Sequence, residues 1–231
     1  MKRVKILEIG DMQNGFIQPE GNLYVSGAEA LVTPANEFLR HVGIGVFDLV
    51  LIVLDTHFSE EFGESEEARQ FPLHCEYGTW DWELSVDVSG LSNAQYLMKN
   101  QFNMWSNKRA TVTCNGPGRQ SAYDHLFCVI DDPGKPEGNV ALEDFLKKFH
   151  TGRTPVETEV TLIGVASDYC NRFSMEGWLR AGARVTIIQD LTKGIAKETP
   201  QVLAEDQYRQ YEDGRLRAVD SARYLRELQG H

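Results

Sequence analysis

Cys170 stands where a buried strand gives way to a helix. Residues 160–165 carry the β-branched apolar pattern of the strand, and the helical pattern that begins at Cys170 stops at Gly182. A thiol there feels the partial positive charge of the helix N-terminus, and unpaired N–H groups are close enough to hold a developing oxyanion. Taken alone, the same residue also fits a small buried hydrophobe. Asp55 and His57 form a second pair: in extended backbone, residues i and i+2 point to one side, so this carboxylate and imidazole can converge on one metal ion. His74 in FPLHCEYGT offers a third ligand, and Glu67 a fourth, directly or through water. Such ligands suit zinc, manganese or iron(II). The competing reading is two unrelated histidines flanking a solvated acidic loop, EEFGESEEARQ. Asp11 ends an apolar stretch at residues 4–9, and Lys99 another at 96–98. In an enclosed site the Lys99 ammonium would lower a thiol pKa or stabilise an oxyanion.

The elements that must position these groups follow from the apolar runs. Residues 4–9, 49–54, 96–98, 160–165, 184–188 and 216–219 read as strands, and LVLIVL at 49–54 is an unbroken run of the kind buried on both faces. Helices are expected from Thr33-Pro34 to near Gly43, over ALEDFLKKF behind an Asn139 cap, from Cys170, over 199–211 and over 222–228. In the ALEDFLKKF helix Leu142, Phe145, Leu146 and Phe149 share one side. Strand-helix-strand order implies parallel pairing, and open parallel sheets gather ligands outside the carboxyl ends of their strands. The expected fold is α/β: three α/β/α layers around a mostly parallel sheet of about six strands, in one domain spanning 1–231.

Two stretches fit this pattern poorly. Residues 107–138 are irregular, with NGPG and DDPGKP turns; 110–112 and 126–130 suggest a hairpin, and the segment's length suggests a lid or a subunit contact. Glu8 falls inside what should be a central strand, where a carboxylate needs a partner that the sequence does not identify.

Composition narrows the function classes. A net charge of -11 disfavours nucleic acid and anionic membrane surfaces as partners. No run approaches about 18 apolar residues, and the apolar part of MKRVKILEIGDMQ is too short for a signal peptide. Four cysteines without CxxC spacing suggest reduced thiols, so a cytoplasmic protein is expected. No GxGxxG or P-loop pattern follows the first strand.

Taken together, ILEIGDMQNGFIQPEGNL, VLDTH, FPLHCEYGT, Lys99, GVASDYC and DLTKGI resemble the isochorismatase-like cysteine hydrolases, most of all their nicotinamidase (pyrazinamidase) branch. The resemblance implies that Asp11 is the general base for Cys170, that Lys99 stabilises the charged pair, and that Cys170 attacks a carboxamide to leave a thioester that water hydrolyses. It further implies an oxyanion hole from the N–H groups of Ala166 and Cys170 with a cis Val165–Ala166 peptide, and ring packing by Phe16, Phe71 and Phe102. One divalent metal ion, zinc first with manganese or iron as alternatives, would sit on Asp55, His57, His74 and, in some members, the position of Glu67, and orient a pyridine ring. The expectation is a nicotinamidase of NAD salvage, homo-oligomeric, acting on a small amide. The alternative is a related hydrolase of another small amide or carbamoyl compound; a non-catalytic assembly subunit is a third reading, opposed by intact Asp11, Lys99 and Cys170. The chain departs from its relatives at Glu8 and Gly10, which replace apolar residues, at Phe71, where many carry tryptophan, and in the long interval from Lys99 to Cys170. Cys75 is set aside as a ligand, because neighbours in an extended segment rarely point at the same ion.

Overall fold

The structure is a computed structural model, and it describes residues 2–42, 45–91, 93–106, 111–138, 140–147, 156–211 and 213–230. Gly43, Asn139 and Phe149, assigned above to helix ends and a helix face, lie outside the described residues. In chain order the elements are β1 (Lys2–Gly10), α1 (Asn14–Ile17), α2 (Val32–Val42), β2 (Leu49–Asp55), α3 (Ser59–Phe62), β3 (Ala94–Lys99), α4 (Arg119–Asp124) and β4 (Val129–Ile130). They continue with α5 (Leu142–Lys147), β5 (Val156–Val165), α6 (Cys170–Arg180), β6 (Arg184–Lys193), α7 (Thr199–Leu203), β7 (Leu216–Val219) and α8 (Ser221–Leu228).

The strands form a seven-stranded sheet in the order β4-β3-β2-β1-β5-β6-β7. All neighbours are parallel except β3 and β4. The strand beyond the six expected is β4, and it does not pair with residues 111 and 112 as a hairpin. Val129 and Ile130 pair antiparallel with Leu97 and Tyr96, while residues 111 and 112 carry no strand. Adding to β3 covers an edge whose backbone groups would otherwise lack partners. The 199–211 stretch also divides, into α7 behind a Glu198/Gln201 capping box and a 3-10 turn at Asp206–Tyr211.

Side-chain alternation along the strands builds a core on each face. Leu7, Ile9, Val50, Ile52 and Leu54 pack with Phe38 and Leu39 of α2 and Tyr224 of α8. Ile6, Leu49, Leu51, Val53 and Leu162 pack with Leu142 and Phe145 of α5 and Met175 and Trp178 of α6. The three-layer expectation is met. No helix among the described residues is long and apolar enough to cross a membrane.

Residues 111–138 have a core role. Tyr123, Leu126 and Phe127 join the first core cluster, and Tyr123 meets Phe58 edge-on at 5.2 Å. From α4, the Arg119 guanidinium donates to Glu60 (2.7 Å), Glu76 (3.0 Å) and the Tyr77 carbonyl (3.1 Å). This segment thereby braces the two loops that carry His57 and His74.

Candidate active site

The central strands end in chemistry. Asp11 follows β1, Asp55 closes β2, Lys99 closes β3 and Cys170 follows β5, so the parallel order brings all four to one sheet edge. Close approach of β1 and β5 makes this possible: Gly10 pairs with Gly164, whose φ is +116°, and a Cβ on Gly164 would stand 1.9 Å from the Gly10 carbonyl oxygen. Gly10 is less tightly held: a Cβ there would come within 2.5 Å of the Asn171 side-chain oxygen, which would have to turn aside. Asp11 itself has φ 51°, a left-handed conformation that aspartate tolerates better than most residues, and its N–H donates to the Val53 carbonyl at 3.0 Å.

Lys99 sits at the centre of the constellation. Its Nζ lies 3.0 Å from Asp11 Oδ2, 3.1 Å from Asp55 Oδ1 and 3.5 Å from Cys170 Sγ. Burial disfavours the ammonium, but Asp11, Asp55 and Cys170 outweigh it and hold the lysine well above its usual range. Burial pushes the Cys170 thiol well above its ordinary range, against the pull of Lys99. The thiol therefore rests protonated and needs a base. Burial also raises Asp11, to about 6, opposed by Lys99. A carboxylate poised there, beside a thiol, can take its proton near neutral pH.

Beside this group lies a second one. One ligand atom each from Asp55, His57, Glu67 and His74, all buried, fall within 4.8 Å of one another. Asp55 Oδ2 is 3.1 Å from His57 Nε2 and 3.0 Å from His74 Nε2; Glu67 Oε2 is 3.2 and 3.7 Å from the same atoms. A tetrahedral ion with bonds of about 2.0–2.1 Å spaces its ligands roughly 3.3 Å apart, so the set fits. His74 Nδ1 pairs with the Pro72 carbonyl at 2.7 Å, and as the donor there it leaves Nε2 with a free lone pair toward the group. Both Glu67 oxygens are buried with no hydrogen-bond donor among the described residues. Burial opposes charge on His57, yet Asp55 and Glu67 lift it to about 10, as a pair of buried carboxylates short of positive charge would. Asp55 serves both groups, with one oxygen toward Lys99 and the other toward the imidazoles.

Other side chains hold these in place. The Gln13 amide spans the Asp55 backbone, donating to its carbonyl and accepting from its N–H, both at 2.8 Å, and also donates to the Trp82 carbonyl at 2.9 Å. Asp81 accepts from the Cys75 N–H at 2.6 Å. Cys75 turns away from the ligand set, its Sγ toward the Asp81 carbonyl at 3.7 Å. Neither Gln13 nor Asp81 is singled out by sequence reasoning; both lie in or beside the quoted motifs, the one signal that pointed to them.

A narrow cleft opens onto Cys170, Asp55 and His74. Phe16, Phe71 and Phe102 line it, together with Leu23, Ala166, Tyr169 and Ile195, and no lining residue comes from 111–138. Phe16 meets the His74 ring edge-on at 5.3 Å; Phe71 meets Phe102 at 6.0 Å and Tyr169 at 5.6 Å. The Val165–Ala166 peptide is cis. The N–H groups of Ala166 and Cys170 enter no hydrogen bond among the described residues, while the Ala166 carbonyl accepts from Tyr169 and Asn171. Asp55, His74 and Cys170 thus meet the three phenylalanines at one small space, while Lys99 and His57 stand behind Asp55, Asp11 behind Lys99, and Glu67 beside the two imidazoles.

Residues 5–122 match the isochorismatase domain. The chain belongs to the isochorismatase family. Within that family it is 26% identical over 210 residues to the nicotinamidase/pyrazinamidase of Mycobacterium tuberculosis, covering 88% of this chain and 94% of the relative. The isochorismatase fold is shared with the Pyrococcus horikoshii pyrazinamidase solved in complex with zinc: TM-score 0.61, 21% identity, covering 94% of this chain and 98% of that one. It is shared also with an L. infantum protein solved in complex with nicotinate: TM-score 0.63, 21% identity, covering 95% and 93%.

Proposed function

We propose that this protein is a nicotinamidase, hydrolysing nicotinamide to nicotinic acid and ammonia in the cytoplasm as part of NAD salvage. One observation carries the reading: Asp55 links an Asp11–Lys99–Cys170 group to a four-residue ligand set, and Asp55, His74 and Cys170 open together onto one small, aromatic-lined cavity. A cysteine hydrolase needs only the first group, and the second suits a substrate that also offers a metal-binding atom. The likeness to the M. tuberculosis enzyme supports it.

In this reading Asp11 takes the Cys170 proton as the sulfur attacks the amide carbon. The carbonyl oxygen becomes an oxyanion that accepts from the Ala166 and Cys170 N–H groups. The tetrahedral intermediate collapses, the C–N bond breaks, and Asp11 returns the proton to the departing nitrogen, which leaves as ammonia. Water, deprotonated by Asp11, then attacks the thioester carbon; the C–S bond breaks and Cys170 recovers its proton. Lys99 keeps its charge throughout and holds Asp11 and the sulfur in register. Asp55, His57, Glu67 and His74 would hold a divalent ion, zinc before manganese or iron, and the ion supplies a Lewis-acid contact for the pyridine nitrogen. Phe16, Phe71 and Phe102 pack the ring.

The test is ammonia and nicotinate formation from nicotinamide by the purified protein, before and after chelation and with zinc, manganese or iron(II) restored singly. Turnover that chelation removes and one metal restores supports the reading. No turnover with any metal, in folded protein, overturns it in favour of another small amide or carbamoyl substrate.

A further inference from the structure

Glu8 lies in the middle of the central strand and is 1% exposed. Its side chain belongs to the even-numbered face of β1, which meets α6. There Oε1 accepts from Ser174 Oγ and Oε2 from Trp178 Nε1, each at 2.5 Å. Cys170, Ser174 and Trp178 are spaced four apart, so they share one face of α6. Glu8 and Asp11 are three apart on the other element. The carboxylate is therefore the polar tie between the strand that presents Asp11 and the helix that presents Cys170. Trp178 is itself immobilised: Trp105 meets it edge-on at 4.9 Å, and a Cβ on Gly177 would stand 1.9 Å from Trp105 Nε1. Met104 Sδ closes the remaining side, 3.8 Å from Ser174 Oγ.

We propose that Glu8 is a positioning residue for the nucleophile, tying the Cys170 helix to β1 through Ser174 and Trp178 and so setting the distance between the Cys170 thiol and the Asp11 carboxylate. The proposal rests on the Asp11–Cys170 reading above. An unpaired carboxyl in this layer would be costly, and two well-made hydrogen bonds are what make it tolerable. Apolar packing alone would hold α6 against the sheet, but it is not directional and leaves the helix free to slide by fractions of an ångström. Two hydrogen bonds to one carboxylate fix both its rotation and its height. Burial raises the Glu8 carboxyl to about 7, with Asp11 raising it further and Ser174, Trp178 and Lys99 opposing. Protonated on Oε1, the carboxyl would donate to Ser174 Oγ and still accept from Trp178 Nε1 on Oε2, so the tie survives protonation with one bond reversed.

Two readouts test this: steady-state nicotinamide hydrolysis, and the pH profile of Cys170 alkylation by iodoacetamide with Cys170→Ala as blank. The second does not depend on the substrate. Glu8→Leu, which supplies an apolar residue without the tie, is expected to lower kcat about tenfold or more with KM within about twofold, and to slow Cys170 alkylation across the profile. Glu8→Gln keeps the shape, accepts from Trp178 and donates to Ser174, so it should restore kcat to within about threefold. Ser174→Ala with Trp178→Phe should reproduce the Glu8→Leu loss, and adding Glu8→Leu to that pair should lower kcat no further. A folded Glu8→Leu protein with wild-type kcat and an unchanged alkylation profile overturns the proposal. If Glu8→Leu does not fold, Ser174→Ala alone decides: unchanged kcat and alkylation overturn it. A changed alkylation profile in a protein that never hydrolyses nicotinamide strikes the substrate reading and leaves the tie standing.

Discussion

Lys99 Nζ lies 3.0 Å from Asp11 Oδ2, with both side chains about 1% exposed. A buried charge pair of this kind costs far more to break than it contributes when whole, because its loss strands a carboxylate in a dry site. Here it would strand two, since Lys99 also meets Asp55. Lys99→Met is expected to destabilise the protein by about 3–5 kcal/mol in urea unfolding and to lower kcat/KM by at least about 100-fold. A variant with wild-type stability would show that the carboxylates are compensated by some other group.

The same pair sets a pH dependence. In the proposed mechanism Asp11 must be ionised to accept the thiol proton, and burial raises its pKa from 3.8 to about 6, against Lys99. Activity should therefore rise as pH increases through about 6, and kcat/KM measured from pH 4.5 to 8 checks it. Stability runs the other way for this group. A raised folded-state pKa favours the protonated form, so its contribution is present below the unfolded pKa and lost as pH rises through about 6. An acid limb centred near 4 would mean that Asp11 is not the group titrating.

Metal binding should be visible without substrate. A ligand that binds only the folded state stabilises it by about 2.7 kcal/mol at 100 times its Kd. Zinc is expected to raise the Tm of the chelated protein and to leave that of His74→Ala or Asp55→Asn nearly unchanged. Equal shifts in the variants would remove those residues from the ligand set.

Gln13 offers a test one step away from the ligands. Its amide makes two buried hydrogen bonds to the Asp55 backbone and a third to the Trp82 carbonyl. Gln13→Ala is expected to cost about 1–3 kcal/mol of stability and to weaken metal affinity about 10- to 100-fold, with the Cys170 alkylation rate affected much less. Calorimetric metal titration beside denaturant unfolding separates the two effects.

How far the site can be read from sequence depends on the range of the interaction. Asp11, Asp55, Lys99 and Cys170 are legible because each ends an apolar run, and parallel strand order then forces them to one edge. The Asp55–His57 pair is legible from spacing two apart, His74 and Glu67 from residue type. The partners of Glu8 are not, because Ser174 and Trp178 lie 166 and 170 residues away and no local pattern pairs a strand carboxylate with a helix indole. Gln13 is hidden for a similar reason: an amide bridging two backbone groups leaves no periodicity. The two-residue strand β4 is too short to carry a pattern, and its pairing is decided by the open edge of β3. The turn signals in 111–138 are real, but they conceal Tyr123, Leu126 and Phe127, whose burial anchors the segment against the loops that carry His57 and His74.

The central claim is that Cys170 carries the acyl group. Rapid-quench mass spectrometry of the metal-loaded protein mixed with nicotinamide measures it directly. The account predicts a nicotinoyl adduct on the Cys170 peptide that forms within a turnover, decays as nicotinate appears, and is absent from Cys170→Ala, which is inactive. Nicotinate formation with no adduct on Cys170, and persisting in Cys170→Ala, would contradict it.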